Sequence, residues 1–364
     1  MSPEPPTRRL RVADFDYELP ESAIAQVPIE PRDASRLLIL DRRSSHAGAP
    51  ALEHTTFRRI GEWLRPGDLL VVNDSRVIPA RLRGTRNGGG DTEVLLLRER
   101  GDLEWEALVR PSRRLRVGDR VGLASGDSLA VLGRAGDGTR IVRFGRGPQA
   151  VMAAAGETPL PPYIHDPSSP PERYQTVYAE PPGSSAAPTA GLHFTPELLT
   201  SLRDAGVGLA RVTLHVGLDT FRPLEGEFTD EHRIHTEWYE IKSDTAAVIG
   251  ETRAAGGRVV AVGTTSVRVL ETAAQAIQEP SASGASGWTD LYITPPHRFV
   301  AVDALVTNFH LPRSSLLLLV TAFVQAGMPN TDAYGARNTL LAAYMLALEA
   351  GYRFFSFGDA MLIV

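Results

Sequence analysis

Cysteine is missing from all 364 residues, and with it go disulfides, thiolate catalysis and cysteine-ligated zinc. Long apolar runs are missing too. The longest, Leu316 to Val320 continuing to Val324, is interrupted by Thr321 and falls far short of the roughly 18 residues that cross a bilayer. The opening residues, MSPEPPTRRLRVADFDYELP, hold early prolines and no apolar stretch of the kind a secretory leader needs. These absences predict a soluble, cytoplasmic protein. The chain has no GxGxxG, no Walker lysine, no GxSxG elbow and no HExxH, which removes the simplest dinucleotide, P-loop, serine-hydrolase and zincin readings. Lysine is scarce, and arginine takes its place almost throughout.

What is present divides into two textures. At 43% hydrophobic, the chain can bury one large domain and a smaller one. A formal net charge of -5 argues against a nucleic-acid partner, but the average conceals a split. From Arg76 to Arg146 there are fifteen arginines, no lysine and nine acidic residues, so one segment is basic on an otherwise acidic protein. A solvated arginine-rich surface is the plain reading; a grip on a polyanion is the functional one. The same segment carries short β-rich runs, Glu93–Leu97, Trp105–Val109, Arg120–Leu123, Leu129–Leu132 and Ile141–Phe144, separated by NGGG, PS, SGD and AGDG. Strands so short and so closely spaced predict a small closed barrel or a folded sheet. The expected architecture is therefore a discontinuous α/β catalytic domain, residues 1–79 and 152–364, with a mixed sheet or barrel-like core and an inserted all-β barrel over 80–151.

The catalytic part is organised around Ala187–Gly217. Thr195 is an N-cap candidate, Pro196 suits the first helical position and Gly206 ends that helix. His193 precedes it, and the strand expected at Val212–Val216 carries His215 near its far end. Other expected strands are Leu37–Leu40, Leu69–Val72, Arg258–Val262, Leu291–Ile293, Ala304–Val306 and one around Phe354–Phe357. Helices are expected over Phe57–Leu64, Asp244–Ala255, Val267–Ile277, Ser315–Gln325 and Asn338–Ala350. Gly263-Thr264-Thr265-Ser266 reads as a tight turn whose amides and hydroxyls could meet a carboxylate or phosphate, with Arg268 close by. The proline-rich stretch Val151–Pro188 is expected to cross the mouth of the catalytic domain, with Tyr174, Gln175, Tyr178 and Glu180 as a polar aromatic face. SASGASG, Ser281–Gly287, reads as a surface loop.

Chemistry collects where strands end. His215 follows one, Thr264 and Thr265 another, and Asn308 and His310 a third; ligands of open α/β sheets bind beyond the carboxyl ends of strands. Asn73, Asp74 and Arg76 follow a fourth, either as capped turn or as site. His232, His235 and Glu237 lie close together, and His193, His215 and His310 could converge, but the spacing fits no metal motif and no metal is expected.

With those residues in view, the chain resembles the S-adenosylmethionine:tRNA ribosyltransferase-isomerase family of queuosine biosynthesis. The blocks that carry the resemblance are DFDYELPESAIAQVPIEPRDASRLLIL, GDLLVVNDSRVIPARL, YQTVYAE, APTAGLHFTPELL, VTLHVG, HRIHTEWYEI, VVAVGTTSVRVLE, WTDLYI, VDALVTNFHLPRSSLLLLV and YRFFSFGDAMLI, in family order over nearly the whole chain. The resemblance implies transfer of the ribosyl portion of S-adenosylmethionine to 7-aminomethyl-7-deazaguanine at the wobble position of tRNA, giving epoxyqueuosine-tRNA, adenine and methionine. In the mechanism proposed for the family a base removes a proton from C5' beside the sulfonium and adenine is expelled. The modified base's amine then attacks the unsaturated intermediate, and epoxide closure displaces methionine. S-adenosylmethionine is thus consumed as a substrate, no cofactor is required, and a monomer is expected.

Placed on this chain, the resemblance makes His193, His215 and His310 the proton-transfer candidates, with Asp290 or Glu237 orienting or substituting. Gly263, Thr264, Thr265, Ser266 and Arg268 are the candidates for the methionine end of S-adenosylmethionine. Asn73, Asp74, Arg76, Asn308 and the barrel arginines Arg81, Arg113 and Arg114 are the candidates for the RNA side. Two places depart from the family. Leu218-Asp219 stands where a small, glycine-containing pair is usual, and Pro296-His297 where a proline-glycine turn is common.

Overall fold

In the computed structural model the described residues are 9–101, 103–135, 138–217, 223–278 and 284–364; Leu218-Asp219 and Ser281–Ser283 lie outside them. The chain lays down β1 (Arg36–His46), β2 (Ala49–Thr56) and β3 (Leu69–Asn73), then the short β4 (Arg76–Val77). Six strands follow in succession: β5 (Arg81–Arg86), β6 (Asp91–Gly101), β7 (Glu104–Arg110), β8 (Arg120–Leu123), β9 (Ser128–Arg134) and β10 (Arg140–Phe144). Helix α1 (Pro148–Ala155), β11 (Gly156–Glu157) and β12 (Pro182–Ser184) lead back to β13 (Gly208–Leu214), β14 (Glu237–Ile241), β15 (Val259–Val262), β16 (Ala285–Thr289), β17 (Ala304–Asn308) and β18 (Ala360–Ile363).

Nine strands form one mixed sheet in the order β16-β14-β13-β3-β15-β17-β18-β1-β2. Its centre, β13-β3-β15-β17, is parallel. The central strands are apolar without alternation because both faces are covered. Leu69 and Val71 of β3 enter one core and Leu70 and Val72 the other, and β15 and β18 divide their residues in the same way. The first core is closed by α3 (Ser243–Ala254), α4 (Thr264–Thr272), α5 (Ala274–Gln278), α6 (Ser315–Gly327) and α7 (Ala333–Glu349). The second is closed by the 3-10 turn Phe57–Trp63 and by α2 (Pro196–Asp204). α2 starts as its sequence predicts, with the Thr195 hydroxyl accepting from the Leu198 amide at 3.1 Å and Pro196 at the first position.

The barrel expected between the two α/β stretches is present. Its order is β5-β6-β7-β10-β9-β8, antiparallel throughout, with β8 pairing back onto β5 at Gly84 and Leu123. Closure explains Gly84, since a Cβ there would lie 2.4 Å from the Gly122 carbonyl oxygen. Alternate residues point inward, Leu82, Val94, Leu96, Trp105, Ala107 and Val109 among them, and α1 adds Val151 and Met152 to the same core. That packing therefore runs through the boundary expected at residue 151.

Several local expectations are corrected. No tight turn separates β15 from a helix at Val267: Gly263, at φ 89°, is the N-cap and α4 begins at Thr264. Leu291–Ile293 and Phe354–Phe357 are not strands. The pairing partners are instead Ala285–Thr289, on β14, and Ala360–Ile363, between β17 and β1. SASGASG misleads because backbone pairing to β14 needs no large side chains from β16. Tyr174, Gln175 and Tyr178 are buried rather than arrayed on a face, and only Glu180, paired with Arg211, reaches the surface.

Candidate active site at the strand ends

The carboxyl ends of β13, β3, β15 and β17 lie side by side, so Asn73, His215, Gly263 and Asn308 arrive at one edge of the sheet. Two clefts open there. The first, of about 60 Å³, is lined by Thr189, Gly263, Thr264, Thr265, Asn308 and His310, with Tyr163 and Ser356 contributing hydroxyls that bond each other at 2.7 Å. The second is lined by His215, Gly217, Glu237, Trp238 and Trp288 together with barrel residues that include Arg98 and Trp105. Consecutive residues separate them: Val216 lines the first and Gly217 the second.

The three histidines are not equivalent. Both nitrogens of His193 are engaged, Nδ1 with Ser35 Oγ at 2.7 Å and Nε2 with Asn308 Nδ2 at 3.3 Å. Asn308 also accepts from the Thr189 hydroxyl at 2.8 Å, so its amide donates to His193 and leaves the ring proton on Nδ1. Burial, aided by Arg353 and Arg32, lowers the His193 pKa to about 3. The ring stacks on Phe57 with centroids 5.0 Å apart. It is a neutral strut that aims Asn308 into the first cleft.

His310 has only Nε2 engaged, by Thr307 Oγ1 at 2.7 Å, while the Tyr17 hydroxyl holds its carbonyl and its amide donates to Tyr344 at 3.2 Å. Burial lowers its pKa to about 3 as well, so it faces the first cleft as a neutral imidazole. His215 stands in the second cleft, stacked on Trp238 with centroids 5.2 Å apart and its pKa lowered by burial. Gly183 backs that ring; a Cβ there would lie 2.7 Å from two of its atoms.

The remaining sequence-picked residues divide. Thr264 and Thr265 line the first cleft, the Thr265 hydroxyl is buried without a partner, and the unbonded first-turn amides of α4 adjoin it. Ser266 is turned away, donating to the Val262 carbonyl at 2.8 Å. Arg268 is not available to a carboxylate in that cleft. It forms a buried ion pair with Glu237, whose other oxygen accepts from the Gly217 amide at 2.7 Å, so each candidate neutralises the other. Asp290 is exposed and lines neither cleft.

On the RNA side, Asn73 stitches β3 to β13, bonding the Leu214 amide at 3.0 Å and its carbonyl at 3.1 Å, and Asp74 accepts from Thr213 at 2.7 Å. Arg76 pairs with Glu172, and Arg81 reaches the Leu160 carbonyl at 3.3 Å. Arg113 and Arg114 are exposed at the end of β7, in a surface depression they share with Arg83 and Arg110. His297 turns toward Glu271 at 3.8 Å, away from both clefts. Among the described residues no group of three or more histidine, aspartate or glutamate side chains could hold a metal ion.

Sequence reasoning passed over Thr189 and Tyr163. Each sits within a block already quoted or beside a candidate, yet a lone hydroxyl carries no signal until a partner is seen across the fold. Three tryptophans of the second cleft were missed for the same reason.

A cleft with a neutral imidazole at the strand ends of a mixed sheet, and a second cleft shared with an appended closed barrel, define an α/β enzyme with an accessory β module. The family follows from the whole chain: it belongs to the queuosine biosynthesis protein family, whose model matches residues 12–363. The S-adenosylmethionine:tRNA ribosyltransferase-isomerase of Moorella thermoacetica is 52% identical over 361 residues, covering 98% of this chain and 100% of that relative. Its counterpart from Thermotoga maritima is 49% identical over 355 residues with the same coverage. The crystal structure of S-adenosylmethionine tRNA ribosyltransferase from Thermotoga maritima matches with a TM-score of 0.54 and 41% identity, covering 96% of this chain and 100% of that chain. No helix among the described residues is long and apolar enough to cross a membrane.

Proposed function

We propose that the protein is an S-adenosylmethionine:tRNA ribosyltransferase-isomerase. It moves the ribosyl group of S-adenosylmethionine onto 7-aminomethyl-7-deazaguanine at the tRNA wobble position and releases adenine and methionine. It acts as a monomer and without a cofactor, because the sulfonium itself acidifies the C5' proton. The observation that carries the reading is that the two clefts open at the same strand-end edge of the sheet, one lined by Val216 and the other by the next residue, Gly217.

The first cleft suits S-adenosylmethionine. The amides at the start of α4 and the unpartnered Thr265 hydroxyl match a methionine carboxylate. His310, neutral at pH 7, accepts the C5' proton; Asn308, fixed by His193 and Thr189, orients the sugar. The second cleft opens beside the barrel, whose Arg113 and Arg114 face solvent and suit a phosphate backbone.

The test is adenine release from S-adenosylmethionine by purified protein, with and without tRNA bearing the aminomethyl base, alongside mass analysis of that nucleoside. Release that depends on the modified tRNA, with gain of the epoxy-cyclopentanediol group, is expected. Binding of tRNA with neither adenine nor product would reduce the protein to a binder on this scaffold.

A further inference from the structure

Three of the four tryptophans, Trp105, Trp238 and Trp288, line the second cleft, of about 500 Å³, between the barrel and the β14–β16 edge. Trp238 and Trp288 are register partners on adjacent antiparallel strands, so their side chains share a face of the sheet. His215 stacks on Trp238 at an interplanar angle of 20°, and from the barrel the Arg98 guanidinium sits 4.9 Å from the Trp288 ring centre. Four flat groups thus cross from the sheet to the barrel in one row.

A row of this kind built only to fasten barrel to sheet would bury its rings. Trp288 is instead 53% exposed. Trp105, by contrast, packs into the barrel core at 5% exposure and only borders the cleft. An open indole face beside a guanidinium matches the stacking surface and the charge of a nucleotide. Location adds to this. Along the β6–β7 hairpin, Arg98 lies five residues from Glu93, which pairs with Arg110 beside Arg113, or roughly 17 Å at strand rise. One RNA hairpin can reach both.

We propose that this cleft seats an unpaired base of the RNA substrate, stacked on the open face of Trp288 beside Arg98. The inference rests on the RNA-modifying reading above and assigns the RNA subsite of that enzyme.

The experiment measures binding of the aminomethyl-bearing tRNA across a salt series by wild type, Trp288→Ala, Trp288→Phe and Arg98→Ala. Tryptophan emission, melting temperature and adenine release are recorded in parallel. The tRNA should quench emission, Trp288→Ala should weaken binding about tenfold without changing the salt slope, and Trp288→Phe should recover most of it. Wild-type affinity in Trp288→Ala overturns the proposal. If both Trp288→Ala and Arg98→Ala melt lower but bind normally, the row is only a fastening and the proposal fails. Quenching by S-adenosylmethionine alone, with none added by tRNA, makes adenine the occupant and overturns the RNA assignment. Wild type that neither binds tRNA nor releases adenine would instead sink the enzymatic reading itself, a result distinct from a silent Trp288→Ala.

Discussion

Replacing Asn308 by aspartate isolates what the Ser35–His193–Asn308–Thr189 chain does. In the native protein the Asn308 amide donates to His193 Nε2, and burial with Arg353 and Arg32 holds the ring at a pKa of about 3. Aspartate keeps the shape and removes the donor, so a carboxylate oxygen faces an unprotonated nitrogen until the ring takes up a proton. An opposite charge in contact raises an imidazole pKa by about 1–3 units, which puts His193 of the variant at about 4–6. Stability follows with a definite sign. The unfolded ring titrates near its ordinary 6.5, above the folded value, so the unfolded state binds the extra proton between the two. The native protein therefore has the full contribution of neutral His193 above pH 6.5 and loses about 1.4 kcal/mol for each unit of acidification toward pH 3. In the variant that loss stops at the raised pKa. Its curve lies lower overall, because a buried carboxylate is costly, but flattens earlier on the acid side. NMR titration of the His193 ring and urea unfolding at a series of pH values measure both effects. A native His193 that titrates near 6.5, or identical titrations in the two proteins, refutes the reasoning.

Three further outcomes are expected. His310→Ala should cut modified-tRNA-dependent adenine release by on the order of a hundredfold with little change in melting temperature, and near-normal release removes His310 as the base. Reversing Arg113 and Arg114 to glutamate should weaken tRNA binding and reduce its salt slope by about one to two; unchanged affinity places the RNA elsewhere. Glu237→Gln leaves Arg268 buried without its counter-charge and should cost about 3–5 kcal/mol in urea unfolding. A loss under about 1 kcal/mol would show that the pair is solvated after all.

Architecture was legible where one rule governed it. Unbroken apolar runs such as Leu69–Val72 announced strands covered on both faces, and short runs between glycine-rich turns announced the barrel. Strand-end chemistry was legible in outline for the same reason, since a polar residue straight after a buried strand has one place to go. The rest depended on partners distant in sequence. Nothing near Arg268 or Glu237 shows that they meet, and nothing near His193 shows that Ser35 occupies its second nitrogen. Ala285–Thr289 carries small residues that any loop could hold, and only β14 makes a strand of it.

The position of β18 has a consequence for how the molecule is made. Its pairing Leu37–Ala360 joins strands at opposite ends of the described order, and β18 lies between β1 and β17 rather than at a rim. On a ribosome the barrel, whose six strands are contiguous, can close while most of the sheet is still untranslated. β1 and β2 must wait as a hairpin until β18 has been translated, so the catalytic half should become protease-resistant later than the barrel.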